Sequence, residues 1–184
     1  MSAACVGLLL AAGQSSRFGG NKLLHPLADG TPMVLASARR LHAVLADTIA
    51  VVTDVDGHVA RLLAQEGVRF VCNAHAREGI GKSISCGIAA SQDAGGWVIA
   101  LGDMPFVPRF VVQAVAARLA YGADIVAPVC HGQRGHPVGF SSRHGEALMR
   151  LHADEGARGI IAAHRDTLEL IEVEDRGVLL DIDC

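Results

Sequence analysis

Leu8-Leu-Leu-Ala-Ala-Gly-Gln-Ser-Ser-Arg-Phe-Gly-Gly-Asn-Lys22 decides how this chain is read, because an apolar run stops abruptly in a glycine-bearing loop that carries two cations. An apolar run without polar alternation is the signature of a strand covered on both faces. The loop after it has a different chemistry. Gly13, Gly19 and Gly20 allow a sharp turn in which backbone N–H groups approach an anion, and Arg17 and Lys22 can neutralise phosphate charge. The spacing is neither that of the Gly-Lys-Ser/Thr phosphate loop nor Gly-x-Gly-x-x-Gly. A plain surface turn after a buried strand is the simpler alternative.

Outward from this stretch, the chain alternates. The opening strand covers about Ala4 to Ala12, and Thr31-Pro32 offers an N-cap and a first-turn proline for a helix to about Leu45. Thr48 to Thr53 is a β-branched strand, Gly57 to Gln65 a helix, and Val68 to Cys72 a strand. A helix follows from Lys82 to about Ser91, then an apolar strand from Gly95 that ends in Gly102-Asp103, a helix from Pro108 to Tyr121, and a strand from Asp124 to Val129. Beyond it the order changes to a loop from His131 to Pro137, a short strand Val138 to Phe140, helices near Arg143 to Leu151 and Ala157 to His164, and strands Thr167 to Val173 and Val178 to Ile182. Buried strands separated by amphipathic helices predict an α/β fold, a mostly parallel sheet between two helix layers. Ligands in such sheets bind beyond the C-terminal ends of the strands, so the cationic loop and Asp103 are expected together. No repeat or linker divides residues 1–184, which predicts a single domain.

Composition narrows the function. With 51% hydrophobic residues in 184, the chain can build a full core without metals or disulfides. A net charge of −3 with 16 Lys and Arg argues against nucleic-acid and membrane-surface partners. The five cysteines, Cys5, Cys72, Cys86, Cys130 and Cys184, contain no Cys-x-x-Cys pair and suit a reducing cytoplasm. The run Ala3 to Gly13 lacks a preceding cation and leads into the charged loop, unlike a signal peptide.

Asp103 emerges from a buried strand, where a carboxylate can hold Mg²⁺ against phosphate oxygens or act as a turn or N-cap residue. Asp181 and Asp183 alternate on the expected last strand, so only one of them can join a given site. Ser83 and Ser85 can present hydroxyls or backbone N–H groups to a base or ribose, or simply cap their helix.

Five stretches then occur in an order that resembles the molybdenum cofactor cytidylyltransferases, within the nucleotidyltransferases related to molybdenum cofactor synthesis. They are Leu10-Ala-Ala-Gly13 to Lys22-Leu-Leu; Glu78-Gly-Ile-Gly-Lys-Ser-Ile-Ser-Cys-Gly87; Gly102-Asp-Met-Pro105; Arg134-Gly-His-Pro137; and Asp154-Glu-Gly-Ala-Arg158 with Asp181-Ile-Asp183. The resemblance implies a three-layer α/β/α, Rossmann-like nucleotidyltransferase fold. It implies that Leu10, Ala11, Ala12, Gly13, Arg17, Lys22, Ser83 and Ser85 bind the nucleotide, with Lys22, Arg17 and Asp103 catalytic. Asp103 and, by similarity to related cytidylyltransferases, Asp183 would ligate Mg²⁺. Arg134, His136 and Arg158 would bind the acceptor, the first two meeting its phosphate and pterin, although a loop histidine in a hydrogen bond is the simpler alternative. Ala12 stands where the similar guanylyltransferases have glycine, and the extra methyl favours a pyrimidine. Lys82 and Ala153 depart from the small residue and the glycine usual in the family. The implied reaction moves CMP from CTP to molybdenum-bearing molybdopterin, releasing pyrophosphate, with a molybdenum hydroxylase or its maturation chaperone as recipient of the product. Transfer from GTP, a sugar or alditol phosphate acceptor, and a non-catalytic cofactor carrier are the alternatives.

Overall fold

In a computed structural model the described residues are 4–13 and 21–182. Six strands share one direction: β1 (Cys5–Leu10), β2 (Thr48–Val52), β3 (Arg69–Cys72), β4 (Gly96–Leu101), β5 (Ile125–Cys130) and β8 (Leu168–Glu172). Two more, β6 (Gln133–Arg134) and β7 (Val138–Ser141), run against them, and the sheet order is β3-β2-β1-β4-β7-β5-β6 with β8 beside β5. Parallel strands demand crossovers. The helices that supply them are α1 (Met33–His42), α2 (His58–Gln65), α3 (Ile80–Ala89) and α4 (Arg109–Ala120), followed by the short α5 (Gly145–Met149) and α6 (Arg158–Ala163).

The opening strand shows why both faces are covered. Leu9 and Ala11 belong to one buried layer with Val34 of α1, Leu63 of α2 and Val112 of α4. Leu8, Leu10 and Ala12 belong to the other, with Ile84 of α3, Leu148 of α5 and Ile161 of α6. Leu8 and Leu9 have no exposed surface, and full burial of each contributes about 1.5–3 kcal/mol. The architecture is therefore the expected three-layer α/β/α sandwich around a mostly parallel sheet. No helix among the described residues is long and apolar enough to cross a membrane.

Two stretches differ from expectation. The loop from His131 to Pro137 begins as a tight hairpin: His131 (φ 50°) and Gly132 (φ 76°) are both left-handed, and Cys130 pairs with Gln133 across them. The returning arm pairs with β5 through β6, and its β7 slots between β5 and β4. The expected strand Val178 to Ile182 is absent. Asp175 instead accepts a hydrogen bond from Gly177 N at 2.7 Å and opens a 3₁₀ turn over Arg176–Val178. Gly177 lies so close to the Phe106 carbonyl that any Cβ would stand 2.1 Å from its oxygen. The segment is thus pinned as a turn, and the expectation that Asp181 and Asp183 face opposite sides of a strand no longer applies.

Candidate functional site

Two clusters form beyond the C-terminal ends of β1 and β4. The first is compact. Gly102 N donates to the Leu10 carbonyl (2.9 Å) and the Ser37 hydroxyl donates to the Gly102 carbonyl (3.0 Å), which fixes the backbone that carries Asp103. Lys22 opens a 3₁₀ turn, Lys22–Leu24, capped by the Asn21 side chain accepting from Leu23 N. Its ammonium lies 3.4 Å from Asp103 Oδ2, with side-chain exposures of 10% for the lysine and 31% for the aspartate. A nearly buried cation thus meets a carboxylate that still reaches solvent. Ile182 N also donates to the Asp103 carbonyl (3.2 Å), which ties the end of the described chain to the same segment. Arg17 and Asp183 themselves lie outside the described residues.

The second cluster surrounds a cavity of about 320 Å³. Leu10, Ile84, Ile99, Leu101, Val138, Phe140 and Ile161 give it apolar walls, while Arg134, His136, Asp154, Glu155 and Arg158 supply its polar groups. The three acceptor residues expected from the sequence are brought together here. The hairpin carries Arg134 and His136 to the end of β4, and α6 begins with Arg158. His136 N donates to the Val178 carbonyl (2.9 Å), which ties this loop to the same tail that touches Asp103. Burial pushes the His136 imidazole down to about 4; Asp103 pulls against that shift, and Arg134 and Arg158 add to it. The ring is therefore neutral near pH 7, and its buried Nδ1 has no hydrogen-bond partner. The side chains of Arg134, Arg158 and Asp154 make no hydrogen bond or ion pair among the described residues.

The expected nucleotide residues are divided. Ala11 and Ala12 are buried just past β1 and Gly13 is exposed, while Leu10 lines the cavity. Ser83 is 5% exposed and accepts from Asn73 Nδ2 at 3.0 Å, whereas Ser85 donates its hydroxyl to the Met149 carbonyl at 2.6 Å. Both hydroxyls thus also tie α3 to its neighbours. Among the described residues no three His, Cys, Asp or Glu side chains are placed to hold a metal together.

Two residues that the sequence reading left without a role matter here. Asn73, 5% exposed, holds Ser83 through its amide and accepts from His75 N. Asp154 sits on the turn Ala153–Glu155, which presses against the entry to α3: a Cβ on Gly79 (φ +115°) would stand 2.3 Å from the Ala153 carbonyl carbon and 2.5 Å from Asp154 Oδ1. Only glycine fits that contact, and the signal for it was Gly79-Ile-Gly81 followed later by Gly156.

Residues 7–168 match the model of the MobA-like NTP transferase domain. Among curated proteins, the chain is similar to the purine catabolism protein PucB of Bacillus subtilis, 32% identical over 190 residues that cover 97% of this chain and 91% of PucB. It is also similar to the bifunctional protein GlmU of Sinorhizobium fredii, 26% identical over 174 residues, 92% of this chain but 36% of GlmU. The chain therefore spans about a third of the length of that relative. Among solved structures, Rv0371c of Mycobacterium tuberculosis matches with a TM-score of 0.81 at 24% identity, covering 95% of this chain and 90% of that one. A second crystal structure of Rv0371c, a complex with manganese, matches at 0.77 and 22% over the same shares of the two chains. Molybdopterin-guanine dinucleotide biosynthesis protein A of Archaeoglobus fulgidus matches at 0.66 and 18%, over 96% and 91%. At these identities the structural likeness is one of fold.

Proposed function

The chain belongs to the MobA-like NTP transferase domain family, and on that premise we propose that it is a nucleotidyltransferase that moves CMP from CTP to the terminal phosphate of molybdenum-bearing molybdopterin. The products are molybdopterin cytosine dinucleotide and pyrophosphate. The observation that carries the reading is the Lys22–Asp103 pair, 3.4 Å apart beyond β1 and β4. A buried ammonium against a half-open carboxylate suits a site where triphosphate charge and a cation meet.

The acceptor phosphate is already an anionic nucleophile, so the reaction asks for alignment and charge neutralisation rather than for a strong base. Lys22 and Arg17 bind the triphosphate, and Lys22 stabilises the charge that grows on the leaving pyrophosphate. Asp103 and Asp183 would hold Mg²⁺, whose preference for hard oxygen donors their carboxylates fit. When bound, that ion supplies further neutralisation of the phosphate oxygens. Leu10 to Gly13, Ser83 and Ser85 frame the nucleotide, and the Ala12 methyl favours cytosine over guanine. Arg134, His136 and Arg158 receive the acceptor in the adjoining cavity. The recipient of the product is a molybdenum hydroxylase or its maturation chaperone, and the setting is the cytoplasm.

The test is to offer CTP and GTP separately with Mg²⁺ and molybdopterin and to follow which nucleotide is consumed. CTP consumption with stoichiometric pyrophosphate is expected. Preference for GTP refutes the cytidylyl assignment, and product binding without any pyrophosphate release marks a carrier.

A further inference from the structure

The two serines of α3 spend their hydroxyls differently. Ser85 donates its proton to the Met149 carbonyl at 2.6 Å, which joins α3 to α5 and uses the proton up. Ser83 is 5% exposed and accepts from Asn73 Nδ2 at 3.0 Å, but its own proton goes to no acceptor among the described residues. Nor does Ser83 cap the helix, because α3 begins after Gly79 without a side-chain cap.

The direction of the Asn73–Ser83 bond is forced. The His75 backbone N–H can only donate, and it meets the Asn73 side chain at 3.0 Å, so the amide oxygen must face His75. The amide NH₂ therefore faces Ser83. Against an N–H group the serine oxygen has to accept, and its proton is turned elsewhere. The backbone of Asn73 is held as well, with its N–H on the Val52 carbonyl (2.8 Å) and its carbonyl accepting from Ala76 N (3.2 Å). These bonds set Asn73 beyond the C-terminal end of β2. Ile84, next to Ser83, packs in the buried layer that contains Leu10 and Ala12. The unspent proton thus belongs to the end of the sheet from which the Leu10-to-Gly13 backbone emerges, where a ligand of this fold class binds.

We propose that Asn73 is a positioning residue of the nucleotide site: its amide makes Ser83 a fixed donor, whose proton meets an acceptor atom on the nucleoside part of the bound nucleotide. This rests on the nucleotide reading of α3 given above. It also sorts the two serines, assigning the nucleoside contact to Ser83 and leaving Ser85 to hold α3 against α5. Without the amide, the Ser83 hydroxyl is free to turn, and the bond to the nucleoside is made at the cost of fixing it.

The test titrates CTP, GTP and inorganic triphosphate, with Mg²⁺ and no acceptor, into the full chain, Asn73→Ser, Ser83→Ala and the double variant. Circular dichroism and Tm report folding. Asn73→Ser adds no charge, and its hydroxyl oxygen still accepts from His75 N while it is too short to reach Ser83. Each single variant is expected to weaken the nucleotide that the native chain binds more tightly by about threefold to tenfold. Binding of inorganic triphosphate should stay unchanged, and the double variant should lose no more than either single one. Additive losses, an unchanged nucleotide affinity in Asn73→Ser, an equal loss for inorganic triphosphate, or no nucleotide binding by the native chain overturns the proposal. Should Asn73→Ser fail to fold, Asn73→Asp gives the same reading: its carboxylate accepts from both His75 N and Ser83, and its loss for nucleotide relative to inorganic triphosphate must vanish in the Ser83→Ala background. Tighter binding of GTP with this pattern intact refutes the cytidylyl reading and leaves the role of Asn73 standing. Turnover of CTP with additive losses refutes the role of Asn73 and leaves the reaction standing.

Discussion

The two ends of the candidate site are built on opposite principles. At the Lys22–Asp103 end the charges satisfy one another: a lysine with 10% side-chain exposure lies against the carboxylate, and backbone hydrogen bonds to β1 and from the tail, with one from the Ser37 hydroxyl of α1, fix the segment that bears it. In the cavity of Arg134, His136, Asp154 and Arg158 the polar groups have no partners among the described residues, and glycine contacts hold the backbone instead. The first end is organised before any ligand arrives. The second is shaped by the backbone while its arginines and Asp154 stay exposed to solvent, so what enters exchanges water for their hydrogen bonds. A transfer enzyme benefits from that division, since charge neutralisation depends on preorganisation while acceptor choice depends on what is left unpaired.

Variants can break this contrast. Lys22→Ala strikes the preorganised end and should cost about 2–4 kcal/mol of transition-state stabilisation, seen as a loss of kcat with CTP binding weakened less. An equal loss in Arg158→Ala would erase the distinction between the two ends. Arg158→Ala is expected instead to raise KM for the acceptor about tenfold or more, with the KM for CTP unchanged in steady-state kinetics.

The buried imidazole separates the ends by pH. Because the folded His136 titrates at about 4 and an unfolded histidine near 6.5, the unfolded chain binds more protons between these values. The contribution is fully present above about pH 6.5 and is lost as pH falls toward 4, on the order of 3 kcal/mol in all. Denaturant titrations at pH 7 and pH 5 should therefore show a drop that shrinks in His136→Gln. A drop of the same size in the variant would mean that other groups carry it.

The smallest effect concerns the turn beneath Asp154. Ala153 is left-handed at φ +55°, so Ala153→Gly should raise stability by about 1 kcal/mol, read as a higher Tm. A lowered Tm would show that the alanine methyl makes contacts that outweigh the backbone cost.

These regions were also unequally legible in the sequence. The fold and the Asp103 end could be read because both are local: an apolar run, then a glycine loop with a lysine, then Gly102-Asp103 at another strand end. Sheet geometry then brings such strand ends together. The cavity depends on contacts far apart in the chain. The His131-Gly132 hairpin turns the chain back along β5 so that β7 lies between β5 and β4, and a His-Gly pair is a weaker hairpin signal than Asn-Gly. Val178 to Ile182 has the apolar content of a strand, but the Asp175 turn and the close approach of Gly177 to Phe106 forbid one. Asp154 stood inside one of the quoted stretches, Asp154-Glu-Gly-Ala-Arg158, but its place could not be read there, because it is set by Gly79 and Gly81 at the entry to α3, more than seventy residues earlier.

The most direct test of the account is the initial rate of pyrophosphate release from CTP, with Mg²⁺ and molybdopterin, by the native chain and by Asp103→Ala. Asp103→Ala is expected to keep the native circular dichroism spectrum and lose activity by about a hundredfold or more, in line with removal of one preorganised electrostatic group. A rate near that of the native protein would contradict the placing of the transfer chemistry at Asp103.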